Sequence, residues 1–312
     1  MDRATWGRRV NATLGARRRA ADRTATVLIT GCFLLGLVPL VWLLYTVASK
    51  GWHMVVTSEW WLQSQRGVGF RDPGGGALHA IVGTAEQVAL CAAISVPVGL
   101  LVGVYLVEYG RGTFARVTSF AVDVLTGIPS IVAALFVYAV AITTLGGQRA
   151  GWLVSLALVV LMLPVIVRST EEMLRLVPDE LREASYALGV PKWKTVVKVV
   201  VPTAFSGLVT GVLLGVARVA GETAPLLILV GYASGMNTDL FAGFQASLPG
   251  MINDQFVNLG SGGQAYGLDA NGNRVPIHNF APDRLWGAAL TLIVIVLVLN
   301  LVARLAGRRA RT

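Results

Sequence analysis

The chain has 312 residues, of which 54% are hydrophobic and only 14% charged, and its formal net charge is +9. A mean hydropathy of +0.65, with several apolar runs near the roughly 20 residues that cross a bilayer, excludes a soluble globular domain and indicates a polytopic membrane protein. The positive charge reflects topology rather than nucleic-acid binding, because the basic residues gather on one side of the apolar runs.

In chain order, a basic arm over residues 1–23 leads into six apolar runs: Thr24–Val47, Ala85–Val107, Phe120–Ile142, Gly151–Val167, Thr203–Val230 and Leu285–Ala303. Backbone groups in hydrocarbon must pair within their own segment, so continuous runs of this length predict helices and not barrel strands. The expectation is an all-α, six-helix transmembrane domain over residues 24–305, followed by a basic tail at 306–312. The first run exceeds the about 7 to 15 residues of a signal-peptide core and is read as a retained span.

Of 26 Lys and Arg residues, 19 fall on one side: seven in the arm, Arg111 and Arg116, six from Arg168 to Lys198, and four from Arg304 onward. Basic loops are retained in the cytoplasm. Both termini and the loop 168–202 are therefore expected there, with loops 48–84 and 231–284 outside. Cys32 and Cys91 lie within spans, where a disulfide forms only if their helices meet.

The first outer loop carries Trp52, Trp60 and Trp61, read as interfacial anchors, and the run Gly74–Gly76, read as a flexible turn. No Lys-Ser/Thr follows those glycines, so they are not a phosphate-binding loop. The second outer loop is long enough to be functional, and its stretch 239-DLFAGFQASLPGMI-252 is expected to lie as an amphipathic helix on the outer surface. Asp269, Asn271 and Asn273 share the opening spacing of a calcium loop, but the later glycine and glutamate are misplaced. His53, His79 and His278 are scattered without ligand spacing, and no metal site is expected.

The most polar segment between two spans is 178-PDELREASYALGVPKWKTVVKVVVP-202. Pro178 suits a first helical position, Asp179 and Glu180 complement the positive dipole end, and Gly189 offers a left-handed stop. A short helix over about Pro178 to Leu188 follows, with Leu181, Ala184, Ser185 and Leu188 on one stripe suited to a partner's groove. The competing expectation is a helix lying on lipid headgroups through Trp193 and its neighbouring lysines.

The next run carries Gly207, Gly211 and Gly215 at four-residue intervals, a smooth face for close helix packing. At about 100° per residue, Arg218 and Glu222 fall near that face, so the expectation is two charges directed into protein within the helix. Each costs roughly 2.5 to 3.5 kcal/mol to insert, which asks for either a mutual ion pair or an anion path. Arginine presents a planar fork of donors to an oxyanion and stays charged when desolvated. Gly127, Ile128, Pro129 and Ser130 further suggest a helix interruption or a packing kink.

Glu183, Ala184 and Gly189, followed by an apolar run ending in Pro202, resemble the EAA loop of permease subunits in binding-protein-dependent ATP-binding cassette importers. With RVAGETAPLL at 218–227, the resemblance sharpens to the A-type permease subunits of bacterial phosphate-specific importers and covers about Ala85 to Val230. It implies a type I importer permease bundle in the bacterial inner membrane, pairing with a homologous C-type permease, an ATPase dimer and an external phosphate-binding protein. It also implies that Glu183, Ala184, Leu188 and Gly189 couple to the ATPase and that Arg218 and Glu222 match an intramembrane charged pair on the substrate path. The chain has no G-x-x-x-x-G-K-[ST], so ATP and Mg belong to another polypeptide, and no cofactor or catalytic role is expected on this one. The long loop 231–284 departs from the compact pattern of such subunits. Rival classes are a sister permease for another oxyanion or solute, or a secondary transporter, for which no inverted repeat is visible.

Overall fold

A computed structural model describes residues 15–259, 266–268, 274–276 and 278–309. The calcium-like turn at 269–273, the start of the basic arm and the last residues of the tail lie outside the described residues. Five helices among those described are long and apolar enough to span a membrane, or six if one bent pair counts as a span.

The first expected span is part of a 40-residue helix, α1 (Ala16–Val55). The chain divides into two compact units at Lys50, and the first unit is the greater part of this helix. Its most apolar stretch buries nothing, leaving Phe33, Leu35, Trp42 and Tyr45 open, which a span facing lipid permits.

In the second unit, a short helix α2 (Ser58–Leu62) precedes α3 (Leu78–Tyr109), whose last turn is π-helical. The expected single span Phe120–Ile142 is instead two helices, α4 (Gly112–Thr126) and α5 (Ser130–Thr144), bent by 105°. Gly127 ends the first, and Pro129 disfavours helical backbone at Ile128 before capping the second, so the interruption is built into the sequence. The fourth span runs past Val167, as α6 (Gly151–Arg175), so the first part of the expected loop 168–202 is helical. After the short helix α7 (Asp179–Ala187), α8 (Lys192–Val219) begins well before Thr203 and stops before Val230. A π-helical stretch at Val196–Val200 lies directly before Pro202, where proline would otherwise clash with the carbonyl four residues back.

α6 is the central helix: 61% of its most apolar stretch is buried, against 22–28% for α3, α8 and the last span. Glycines set how closely its neighbours approach. A Cβ on Gly99 of α3 would stand 2.7 Å from Ile166, and one on Gly211 of α8 would overlap the Ser169 hydroxyl. The stripe of small residues on α8 therefore packs on α6 as expected. Leu153, Val154, Ala157, Leu158, Met162 and Ile166 of α6 form the core with Cys91 of α3. Cys32 and Cys91 are both free thiols.

After α8 come α9 (Ala224–Leu229), α10 (Leu248–Asn258), a two-stranded hairpin β1 (Tyr266–Leu268) with β2 (Arg274–Pro276), and the last span α11 (Ala281–Arg309). The expected surface helix at 239–252 is corrected by α10, which starts only at Leu248, capped by the Ser247 hydroxyl. It buries Leu248, Met251 and Gln255. Trp60 is also corrected from anchor to core: it is fully buried and its indole donates to Thr291 Oγ1 at 2.8 Å. The glycine run is no flexible turn. A Cβ on Gly76 would strike three carbonyls of α2 and its exit, and buried Arg284 donates to the carbonyls of Gly69, Asp72 and Gly74.

Candidate functional site

The polar connection between α6 and α8 holds α7 in a defined pose. Pro178 caps its start, Asp179 and Glu180 occupy the first turn, and Gly189 adopts φ +73° immediately beyond its end. The Gly189 N–H donates to the Tyr186 carbonyl at 2.9 Å and the Val190 N–H to the Ser185 carbonyl at 3.2 Å, closing the helix C-terminus.

One side of α7 is tied to the bundle. Arg182 donates from Nε and Nη2 to Glu108 Oε1 at the end of α3, at 3.1 and 3.0 Å. It also donates to the carbonyls of Leu174 and Val177 at 2.9 and 2.7 Å. Asp179 accepts a further bond from its Nη1 at 3.0 Å. The Ser185 hydroxyl is buried against Thr195 Oγ1 at 2.8 Å. Ser185 therefore belongs to the anchored side, which corrects its place on the outward stripe.

The other side is open. Glu183, Ala184 and Gly189 are exposed, Leu181 and Tyr186 are each 41% exposed, and Leu188 is 83% exposed. The open side thus presents an exposed leucine beside a tyrosine and a glutamate without a salt bridge among the described residues, the kind of side chains that a protein groove accepts.

Sequence reasoning missed the clamp. Its available signal was a lone carboxylate, Glu108, closing an apolar run, together with an arginine three residues after Asp179.

Arg218 and Glu222 stand differently from the expectation of charges within a continuous helix. α8 ends at Val219 and α9 starts at Ala224, so Arg218 occupies the last turn and Glu222 the break. Gly221 weakens helix continuation, and Pro225 starts the next helix better than it continues one. Gly211 and Gly215 turn toward α6, whereas Arg218 is exposed and Glu222 half-buried. The two side chains form no ion pair with each other, and neither has a side-chain partner among the described residues. The break is anchored from behind by Pro225, Leu226 and Leu229, which are buried. An unpaired guanidinium on the open side of a broken membrane helix can receive an oxyanion without first giving up a carboxylate.

Beside α9 lies a cavity of about 230 Å³ lined by Leu226, Tyr232, Asn253 and Asp254 among others. The Tyr232 hydroxyl donates to Gln65 Oε1 at 2.9 Å and meets His79 Nε2 at 2.9 Å, and Gln255 reaches the same Gln65 oxygen at 3.3 Å. Burial pushes the Asp254 carboxyl up from its ordinary range, against the lowering effect of its bond from Gln255. It also pushes the Tyr232 phenol up, with the Asp254 charge adding to the effect. A second buried set joins Gln87 to Gln245 at 2.9 Å and Gln245 to Glu86 at 2.6 Å. These networks fix the loop from 231 to α10 onto the start of α3, and single glutamines in apolar runs gave no periodic signal for them.

Residues 95–311 match the family model described as "Binding-protein-dependent transport system inner membrane component". The chain is 51% identical over 302 residues to "Phosphate transport system permease protein PstA 1" of Mycobacterium tuberculosis (strain ATCC 25618 / H37Rv), covering 96% of this chain and 92% of that protein. It is likewise 51% identical to "Phosphate transport system permease protein PstA" of Mycobacterium leprae (strain TN), covering 92% and 89%. Among solved structures, a bacterial alginate ABC transporter in complex with its pentasaccharide-bound periplasmic protein aligns with a TM-score of 0.64 at 11% identity, over 94% of this chain and 96% of that one. An inward-facing MetNI methionine ABC transporter aligns with a TM-score of 0.56 at 20% identity, over 73% and 93%. At those identities the likeness is one of fold.

Proposed function

The chain belongs to the family of binding-protein-dependent transport system inner membrane components, and from that premise we propose that it forms, with a homologous permease, the path of an ATP-driven inorganic phosphate importer. It is a multi-pass membrane permease subunit of an ABC transporter with the all-helical importer fold. The observation that carries the phosphate reading is 51% identity across 96% of the chain to a protein named as a phosphate transport permease.

In this reading α7 is the coupling helix. Glu183, Ala184, Leu188 and Gly189 enter a cleft of a separate ATPase that holds ATP and Mg, while Arg182 transmits the pull to α3 through Glu108. The transport subunit itself makes and breaks no covalent bond. An external phosphate-binding protein delivers the anion to the outer side, and nucleotide-driven closure of the ATPase pair opens the bundle toward it.

Phosphate then passes Arg218, whose fork of donors matches two oxygens of the anion. Glu222, within the same break, accepts from a proton-bearing oxygen, which phosphate has and sulfate lacks. It also keeps the anion from binding too tightly to leave. The exposed face around Arg218 is where the second permease completes the path.

The test is purification of the chain with its ATPase and reconstitution in vesicles. Phosphate-stimulated ATP hydrolysis should be present in the wild type and lost in Arg218→Ala. Stimulation by sulfate or molybdate in preference to phosphate would transfer the reading to a sister oxyanion permease.

A further inference from the structure

The ends of α3 and α6 and the start of α4 enclose a cleft of about 300 Å³, away from the break at Arg218. Arg111, Arg116 and Arg175 all line it, with Leu106 and Gly112. The one acidic side chain in its wall, Glu171, is engaged through Oε2, which accepts from Arg168 at 2.8 Å and from Arg175 at 3.5 Å, while its buried Oε1 has no partner among the described residues. Arg111 makes no ion pair among the described residues, and Arg116 has only the Thr113 hydroxyl, at 3.4 Å. Three guanidiniums around one cleft repel one another, and the single carboxylate in the wall is shared with a fourth arginine, Arg168, which also pairs with Asp123. The cleft therefore keeps an excess of positive charge that no group among the described residues neutralises.

Two further features point to the chemistry of an occupant. α4 is fifteen residues long and starts at Gly112 in the wall of the cleft with no side-chain cap, so its first N–H groups and positive dipole end face the same space. Phe114, Val117 and Phe120 form an exposed apolar stripe along α4 immediately beyond it. Arginine forks, free backbone donors and an adjoining apolar stripe suit a phosphoryl group, with room beside it for acyl chains.

We propose that this cleft is a binding site for a phosphoryl oxyanion, carried by an anionic lipid headgroup or by free phosphate, and separate from the substrate path. Arg111 and Arg116 supply the charge-assisted bonds, and Glu171 holds Arg175 at the rim. Because the cleft touches the end of α3 close to Glu108, an occupant would brace the element on which Arg182 anchors α7.

The experiment uses the assembled complex containing the full-length chain, and reads binding rather than transport, so its failure leaves the importer reading untouched. Arg111→Ala/Arg116→Ala is compared with Arg111→Lys/Arg116→Lys and with wild type. Both arginines are exposed and neither enters the core, so the variants are expected to fold. In one arm, phosphatidylglycerol retention from phosphatidylcholine nanodiscs is counted by native mass spectrometry. In the other, equilibrium dialysis measures inorganic phosphate binding in an Arg218→Ala background, which removes the substrate path from the signal.

For a lipid source, the alanine pair loses about tenfold in phosphatidylglycerol retention, the lysine pair recovers it, and millimolar phosphate does not compete. For free phosphate, one site per chain persists in Arg218→Ala and vanishes with the alanine pair. The proposal is overturned if neither ligand depends on the pair. It is equally overturned if the alanine pair releases a partner subunit while both ligands bind as before, because the cluster is then a protein contact.

Discussion

Arg182 and Glu108 lie 74 residues apart in sequence and meet as a buried ion pair, with only 13% and 4% of their side chains exposed. A helix of nine residues has little stability of its own. Its pose therefore depends on this clamp and on the carbonyl groups of Leu174 and Val177 that Arg182 also engages. Removing one partner of a buried pair costs about 3–5 kcal/mol, because the other charge is left uncompensated. Arg182→Ala should loosen α7 while α6 stays packed. Amide hydrogen exchange would show protection lost over 179–187 and kept over α6, with ATP hydrolysis continuing without uptake. Wild-type protection at α7 would show that the clamp is dispensable.

Gly189 tests the same element from its other end. Its φ of +73° is a conformation that costs roughly 1–2 kcal/mol for an L side chain, more for a β-branched one. No atom lies within 4 Å of an added Cβ, so the effect is one of backbone and not of crowding. Gly189→Val should redirect the chain leaving α7 and uncouple hydrolysis from transport, while Gly189→Asn, which tolerates the left-handed region, should retain most of the coupling. Equal coupling in both variants would count against a role for this turn.

Gly211 makes a prediction about the bundle. An added Cβ would overlap Ser169 Oγ and stand 2.8 Å from Ser169 Cβ, so Gly211→Leu must push α8 off the central helix. Overpacking of this kind costs typically about 1–3 kcal/mol. The melting temperature of the purified chain should fall, whereas Gly31→Leu, at a position with nothing within 4 Å, should leave it unchanged. The opposite ranking would contradict the packing of α8 on α6.

What the sequence disclosed divides along physical lines. Hydropathy located the long apolar helices, although the expected third span is a bent pair and the fifth breaks after Val219, and the glycine spacing marked the packed face of α8, because both are periodic properties of one segment. Pro178 and Gly189 framed α7 to within a residue, since caps are local. Long-range pairings left no such trace: Arg182 with Glu108, Trp60 with Thr291, and Arg284 with the carbonyls of Gly69 and Gly74 each join distant elements through one side chain. Glu222 differs for a related reason: helical periodicity does not carry past Val219, so counting from Gly215 no longer fixes its direction. Arg218 lies inside α8, and its offset of about 60° from Gly215 is enough to leave it exposed.

Asp254 gives a pH dependence. Its carboxyl is held above the ordinary range by burial, so the folded protein binds its proton more tightly than the unfolded chain does. The stability this contributes is complete below the unfolded pKa and is lost as pH rises through the folded one. Thermal unfolding across the acid-to-neutral range should show that decline in the wild type, and Asp254→Asn, neutral throughout, should flatten it. An unchanged slope would place the titration elsewhere.

Arg218 and Glu222 carry the prediction on selectivity. Arg218 is exposed on the last turn of α8 and has no carboxylate partner among the described residues, so its charge is available to an anion at no cost in broken ion pairs there. Arg218→Ala should abolish phosphate uptake in vesicles, and Arg218→Lys should restore only a fraction, because an ammonium keeps the charge but not the two-pronged geometry. Glu222 acts on a different property. If its carboxylate accepts from the proton that phosphate carries, Glu222→Gln replaces an anionic acceptor with an amide that can donate to a fully deprotonated oxygen. Sulfate should then compete measurably where it did not before, with phosphate uptake reduced by about tenfold, the worth of one charge-assisted bond. Uptake and sulfate exclusion both unchanged in Glu222→Gln would remove the carboxylate from the path and leave Arg218 to act alone.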